Sequence, residues 1–454
     1  MSTSALPIPS VAPAAAGAST SHPQPNWLAE LLGLRLETGF DAWGAGFDGL
    51  AGLALRRNPR RAHLLVSRVL GKHLPVAPAT ALAAADQLAA RLPADVRDAG
   101  PLVFGFAETA TGLGHAVAAA LPGAAYVSST RRSGTSVLDF EEEHSHATAH
   151  RVLAPRSWFA GDTTDGASGD TTDGLPPVVL VDDELSTGRT AVNTIRAVHA
   201  VAPRPSWTVA AFLDLRPAAA RQAFADLSRE IGAPVRAVSL FEGELHVPAD
   251  AAVRAADVLA TADPFLPVRR VHPVRRLDAV WPAGLPLGGR AGWLPGDTAA
   301  LAAALPALAA EVACALDDLP GASRPGAGRR RVLVLGTEEL MYVPMRLAAA
   351  LAEQMGDRAE VLSQSTTRSP VAPLDRDGYA VRAALSFPAP DEPERAGFVY
   401  NLAPHGSTGL AGYDAVVVVC DPDACRADAG LLDALASCAP VLQVRLPEES
   451  ACRP

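Results

Sequence analysis

Two adjacent carboxylates, Asp182 and Asp183, close an apolar run, Val178-Val179-Leu180-Val181, and Ser186, Thr187, Gly188, Arg189 and Thr190 follow shortly after. The apolar run reads as a short buried strand that stops at the acids. Ala191 to Ala200 can continue as a helix. A loop of hydroxyls and glycine at a helix N-terminus aims N–H and O–H groups at one point, where the helix adds partial positive charge. That arrangement holds a phosphate. The carboxylates would repel a phosphate, so they face hydroxyl groups, as the acid of a dinucleotide fold faces a ribose. Ribose plus phosphate is the ligand these residues predict.

A second stretch repeats the pattern. Pro101 to Phe106 reads as a strand that opens into Ala107-Glu108-Thr109-Ala110-Thr111-Gly112 and then a helix through Leu121, a second anion site in principle. The strand Ala124–Thr130 leads to Arg131 and Arg132, and then to Asp139–His150. His144, His146 and His150 lie among acids there. Spacing at one helical turn permits a metal, but three adjacent glutamates favour substrate contacts or a solvated surface. Near the other end, Gly336-Thr337-Glu338-Glu339 and Thr367-Arg368-Ser369 each follow an apolar strand. Both lie at strand C-termini, where open α/β sheets place ligands; the second suits an anion or a nucleobase, and a plain surface turn fits it nearly as well.

The stretch Val178–Thr190 resembles the phosphoribosyl-pyrophosphate (PRPP) loop of type I phosphoribosyltransferases, and Thr367-Arg368-Ser369-Pro370 spells the signature of the TRSP domain that follows such a transferase in one bacterial family. The likeness extends to FAETATGLG, FEEEHSHATAH, GTEELMY and STTRSP. It implies that Asp182 and Asp183 hold the ribose hydroxyls and Ser186 to Thr190 the 5′-phosphate. It gives pyrophosphate to Glu108, Thr109, Ala110, Thr111 and Gly112, and makes Glu108, Arg131 and Arg132 the catalytic groups, the two arginines on a mobile loop that closes over the reaction. Gly336, Thr337, Glu338, Glu339, Thr367, Arg368 and Ser369 would form a ligand site in the second domain. The expected cofactor is Mg2+ at Asp182 and Asp183, through water or directly, since magnesium binds few carboxylates and keeps several waters. The implied reaction transfers phosphoribose from PRPP to a small-molecule acceptor. Family members often sit in tellurium-resistance-associated gene clusters thought to make a nucleoside-like product. Ser186 stands where some purine enzymes carry a basic aspartate, which disfavours a 6-oxopurine acceptor. The rival class is a non-catalytic PRPP or nucleotide sensor, which could dispense with Arg131, Arg132 and the Glu108–Gly112 loop.

These groups need a scaffold, and the pattern of the chain supplies one. Apolar strands alternate with helices, including Trp207–Leu215, helix Ala218–Ile231 and Pro234–Phe241, which predicts an α/β fold with a doubly wound parallel sheet. A second alternating set, with strands at Ala359–Val371, Gly397–Leu402, Asp414–Asp421 and Pro440–Leu446, predicts a second α/β domain. Residues 1–26 read as a disordered tail, 27–262 as the transferase domain, 263–286 as a Pro-rich linker and 287–454 as the TRSP domain. A polar insertion at 157–177 carries GDTTDG twice. Trp27 to Arg91 reads as helices and turns; within Arg56–Val76, Leu64, Leu65, Val69 and Leu70 repeat at helical spacing, and Arg56, Arg57, Arg60, Arg61, Arg68 and Lys72 form a phosphate-facing patch or a solvated helix face.

Composition narrows the class. At 454 residues the chain can bury large cores, and a net charge of −10 gives no support to a nucleic-acid or membrane-surface partner. Five cysteines without a CxxC pair suit reduced intracellular thiols. The alanine-rich helix Thr298–Leu316 is broken by Pro306 and Glu311 and is read as a core helix rather than a membrane span. The expectation is a cytoplasmic enzyme, with a homodimer open.

Overall fold

The computed structural model describes residues 27–57, 62–132, 138–141, 149–155, 158–159, 175–263, 265–322, 328–422 and 429–447. Residues 1–26 and 58–61, the GDTTDG repeats and His144 and His146 lie outside them.

The first sheet contains β1 (Arg35–Asp41), β4 (Leu102–Gly105), β5 (Ala125–Thr130), β6 (Leu138–Glu141), β7 (Ala149–Val152), β8 (Val178–Leu185), β9 (Trp207–Asp214) and β10 (Val235–His246). Its order is β1-β10-β9-β8-β4-β5-β7-β6. Strands β10, β9, β8, β4 and β5 are mutually parallel, and β1, β7 and β6 extend the sheet antiparallel. Every residue of β4 and β9 is buried, as expected for central strands covered on both faces. From β4 the chain winds one way to β5, then returns to β8 and winds the other way to β9 and β10. The reversal falls between β4 and β8, where open α/β sheets place their ligands. The helices that leave these two strands are α5 (Thr111–Ala119) and α6 (Arg189–Val201).

The second sheet is wholly parallel, in the order β11-β17-β16-β12-β13. Its strands are β11 (Val274–Asp278), β12 (Arg330–Gly336), β13 (Ala359–Ser365), β16 (Ala415–Cys420) and β17 (Val441–Arg445). Here the reversal lies between β12 and β16. The segment 263–286, read as a linker, thus contributes an edge strand: β11 pairs along β17. A hairpin of β14 (Ala384–Pro388) and β15 (Ala396–Tyr400) stands apart from this sheet. Pro295–Asp317 forms a helix long and apolar enough to cross a membrane by length and composition, and it buries Leu301, Leu305, Leu308 and Val312.

Two expectations fail near the N-terminus and at the acid pair. The described residues among 56–76 are not helical: β2 (Ala51–Leu55) and β3 (His63–Ser67) form an antiparallel hairpin. All of β2 is buried, and so are His63, Leu65 and Val66 of β3. The spacing of Leu64, Leu65, Val69 and Leu70 reflects burial of a hairpin and the loop after it, and not one helical stripe. Nor does the strand stop at the acids. β8 runs to Leu185, because β9 continues to pair with it at Asp182↔Ala211 and Glu184↔Leu213. What stops is β4, whose last partner pair is Gly105↔Val181.

Candidate active site

The end of β4 one pair before the acids explains why a site opens there. Beyond Val181 the β8 edge no longer faces a neighbouring strand on that side, since Phe106 donates its N–H to the Val181 carbonyl (3.2 Å) and the chain then turns away. Asp182, Asp183 and Glu184 are left half-buried at the crevice, and the Asp182 carboxylate accepts the Asp183 N–H at 2.9 Å. Desolvation, and then the neighbouring Glu184, raise the Asp183 carboxyl above its ordinary range, with Lys72 opposing them. Three carboxylates in a row with a single nearby ammonium make a place that favours a cation or a row of hydroxyls.

The following loop is open. Thr187 and Arg189 are exposed, and Ser186 and Thr190 are partly so. Gly188 takes φ +70°, and a Cβ there would meet Phe224 at 2.9 Å and Arg216 at 3.2 Å, so the turn needs glycine twice over. Arg216 is fixed beneath it by a buried ion pair with Asp214 (2.7 Å). The N-terminus of α6 therefore points its first N–H groups into an accessible, backed loop.

The second loop, Ala107–Gly112, lies at the end of β4 across the same crevice but is covered. Glu108 is 7% exposed, and Ala110 and Thr111 are buried. Thr111 donates its hydroxyl to the Glu108 carbonyl (3.1 Å), and Tyr126 donates to the Thr111 carbonyl (2.7 Å). The peptide bond Ala107–Glu108 is cis. The cover comes from the second domain: a Cβ on Gly112 would lie 2.8 Å from Met341 Cβ. Gly112 therefore has a packing reason to be glycine, in addition to the phosphate reason read from sequence. Lys72, on the loop after β3, reaches this site with its Nζ 2.6 Å from Thr109 Oγ1 and 3.7 Å from Glu108 Oε1. It separates from the patch it was grouped with, since Arg57 and Arg68 turn to backbone carbonyls of Leu259 and Ala51.

The residues assigned to a second ligand site are the other half of this cover. Glu339 accepts from the Thr130 hydroxyl (2.7 Å) and the Arg131 N–H (2.9 Å) at the end of β5. Arg132 pairs with Asp421 (2.9 Å), which follows β16, and Arg290 reaches the same carboxylate at 3.2 Å. Arg368 donates its N–H to Glu108 (3.2 Å) and its guanidinium to Glu338 (2.7 Å) and Asp391 (2.8 Å). The expectation that Arg368 grips a ligand is thus corrected, because its fork is already engaged by two carboxylates. Gly336 and Thr337 form the tight turn under Leu340, whose N–H bonds the Thr337 carbonyl (3.0 Å). Thr367 is buried in a bridge to Phe398 and accepts the Ser369 N–H at its hydroxyl (3.1 Å), so it presents no free binding face.

Two features of the seam follow from this crowding. Burial and the Glu108 carboxylate push the Glu338 carboxyl up to about 7, against Arg368 and Arg395. His115 stacks between Tyr126 (4.5 Å) and Tyr342 (3.8 Å), and burial lowers its pKa well below the usual imidazole range.

Arg131 and Arg132 directly follow β5, which pairs with β7 of the β6–β7 hairpin, and residues 133–137 and 142–148 of the expected mobile loop lie outside the described residues. The backbone of His150 belongs to β7. Among the described residues no group of three His, Cys, Asp or Glu side chains could hold a metal. Sequence reasoning missed Arg290 and Asp421, which carry no motif.

Residues 50–244 match a family model described as phosphoribosyl transferase, and residues 287–435 match the TRSP domain found C-terminal to it. Together the matches take in most of the chain, and the chain belongs to the phosphoribosyl transferases that carry a C-terminal TRSP domain. It is similar to adenine phosphoribosyl transferase from Trypanosoma brucei, at 13% identity over 42% of this chain and 77% of that one, with a TM-score of 0.28. The corresponding values are 15%, 44%, 97% and 0.28 for the adenine enzyme from Giardia lamblia. For orotate phosphoribosyltransferase from Aeropyrum pernix they are 17%, 42%, 89% and 0.24. The family assignment stands on the domain matches alone. Among curated proteins no relative matches the chain.

Proposed function

We propose that the protein transfers phosphoribose from PRPP to a small acceptor and releases pyrophosphate. The observation that carries this is the open loop Ser186–Thr190 directly after half-buried Asp182 and Asp183, at the reversal point of the first sheet. On this reading Ser186, Thr187 and the first N–H groups of α6 hold the 5′-phosphate, and the acid pair holds the ribose hydroxyls. The covered loop across the crevice takes the pyrophosphate end, with Lys72 between them.

The donor set fits magnesium. Asp182 and Asp183 are two carboxylates on β8 just past the end of β4, with the Asp183 charge disfavoured by burial and by Glu184, and magnesium needs few protein ligands when substrate oxygens and water supply the rest. Bound there, the ion would neutralise diphosphate charge. In the transfer the C1–O bond of PRPP breaks and its electron pair leaves with pyrophosphate, while a lone pair of the acceptor forms the new bond to C1. The chain contributes position and charge. Any proton on the acceptor must leave by another route than Ser186, which is no base. Leu50, Ala51, Leu65, Phe212 and Leu213 form apolar walls around a small pocket that also meets Ser67, Asp183 and Glu184. The second domain does not stand as an independent ligand site on this reading, and a biosynthetic role in making a nucleoside-like molecule accords with the family resemblance.

The side chains of Arg132 and Glu108 have partners in the second domain, so their presence is accounted for by the seam as well as by catalysis, whereas Arg131 meets it through its backbone N–H. Incubation with PRPP, Mg2+ and a panel of nucleobases and other small nucleophiles decides the matter. Acceptor-dependent pyrophosphate release is expected; PRPP binding without release from any acceptor would make the protein a sensor.

A further inference from the structure

Lys72 is the only lysine among 454 residues, and every other Lys or Arg position is arginine. It is also among the best-held cations of the fold, at 7% exposure. An arginine fork is longer and flatter, and an ammonium is a compact point charge with three rotatable donors. The site is built for the compact one: Nζ touches Thr109 Oγ1 at 2.6 Å, lies 3.7 Å from Glu108 Oε1 and is close enough to Asp183 to favour its ionised form. Lys72 thus stands between the loop expected to take diphosphate and the acids expected to take ribose.

Its backbone is held from outside the transferase domain. The carbonyl of Gly71 accepts from Ser365 N–H (2.8 Å), that of Lys72 from Gln364 Nε2 (3.3 Å) and that of His73 from Asn401 Nδ2 (3.3 Å). Three consecutive carbonyls thus each meet a donor of the TRSP domain. Val76 and Ser363 then exchange both backbone hydrogen bonds, at 3.0 and 2.8 Å. Gly71, at φ +77°, permits the approach, since a Cβ there would lie 3.1 Å from the Ser363 carbonyl oxygen. Gln364 is itself fixed by donating to the Tyr400 carbonyl at 2.9 Å.

We propose that Lys72 is a catalytic residue that binds the diphosphate leaving group, and that the TRSP domain serves the transferase by holding it, with Gln364, Ser365 and Asn401 as positioning residues. This rests on the PRPP reading above and names a leaving-group residue and a task for the second domain. The ammonium keeps its proton. It offsets the charge that gathers on the pyrophosphate oxygen as the C1–O bond breaks, which a preplaced cation in a dry site does at little reorganisation cost.

A single lysine makes the test direct. Growth on lysine labelled with 13C at Cε places one labelled residue in the whole wild-type chain, so one resonance reports Lys72. Inorganic pyrophosphate with Mg2+ is expected to shift it, and ribose 5-phosphate, which ends at the open loop, to leave it nearly unchanged. Lys72→Met should weaken pyrophosphate binding by about tenfold or more and keep ribose 5-phosphate affinity. Gln364→Ala, which touches no ligand, should broaden the lysine resonance and lower kcat more than it raises KM for PRPP. If wild type binds PRPP but pyrophosphate leaves the resonance in place, the inference is wrong, whether or not Lys72→Met folds. A Gln364→Ala protein with an unchanged resonance and unchanged kcat would remove the positioning role. Wild type that binds neither PRPP nor ribose 5-phosphate overturns the function proposed above instead.

Discussion

The crevice between β4 and β8 and the crevice between β12 and β16 occupy the same topological position in two parallel sheets, and only the first is open. In the first, Asp182 and Asp183 are half-buried and the loop after them reaches solvent. In the second, Glu339 and Asp421 sit at the strand ends, and Arg132 and Arg290 have entered from the side. Topology offers each sheet a binding place. Whether that place stays free is settled by what docks against it, and here the second crevice has become a joint.

The largest expected effect tests the joint. Arg368→Ala leaves Glu338 and Asp391 with Arg395 alone, and orphaning buried charge costs about 3–5 kcal/mol. A loss of on the order of 3 kcal/mol in chemical denaturation is expected, with ribose 5-phosphate affinity retained. Unchanged stability would mean that the seam is held by its apolar and aromatic contacts alone.

The open crevice is tested by replacing Asp182 and Asp183 with asparagine. Charge-assisted hydrogen bonds contribute about 1.5–3 kcal/mol each, so calorimetry should show PRPP affinity lower by about 100-fold or more, and the melting temperature should hold. Native-like PRPP affinity in the folded double variant would remove the ribose assignment.

Paired glycine substitutions sharpen the contrast. Gly112→Ala drives a methyl into Met341 and should cost about 1–3 kcal/mol of stability, the usual range for overpacking. Gly188→Ala, strained at φ +70° and facing Phe224, should cost a similar or smaller amount and weaken ribose 5-phosphate binding as well. If both variants lose phosphate affinity equally, the division between covered and open loops fails.

The smallest effect is a slope. The folded Glu338 carboxyl, pushed up to about 7 from an ordinary 4.5, binds a proton more readily than the unfolded chain does. Its contribution is therefore fully favourable below about pH 4.5 and is lost as pH rises through about 7. Stability of wild type relative to Glu338→Gln should fall across that window. A flat difference would show that Arg368 and Arg395 keep the carboxylate ionised throughout.

How much was legible in the sequence depends on how local the chemistry is. Val178–Thr190, Glu108–Gly112, the alternation of strands with helices and helix Ala218–Ile231 were readable because backbone period and turn chemistry act over a few residues. Helical spacing misled at residues 56–76, since a hairpin buried on both faces leaves no clean alternation to mark it as strand. The end of β4, which opens the site, depends on pairing between strands far apart in the chain.

By itself the sequence determined the two acids, the hydroxyl-and-glycine loop after them and two α/β units, because residue type at short spacing fixes charge and local backbone. Only the tertiary structure decided that Arg368 holds Glu108 from 260 residues away, that Arg132 fills the second crevice and that Lys72 stands between two loops. Such contacts are made by surfaces that meet after the elements have formed, and the chain writes no period or motif for them.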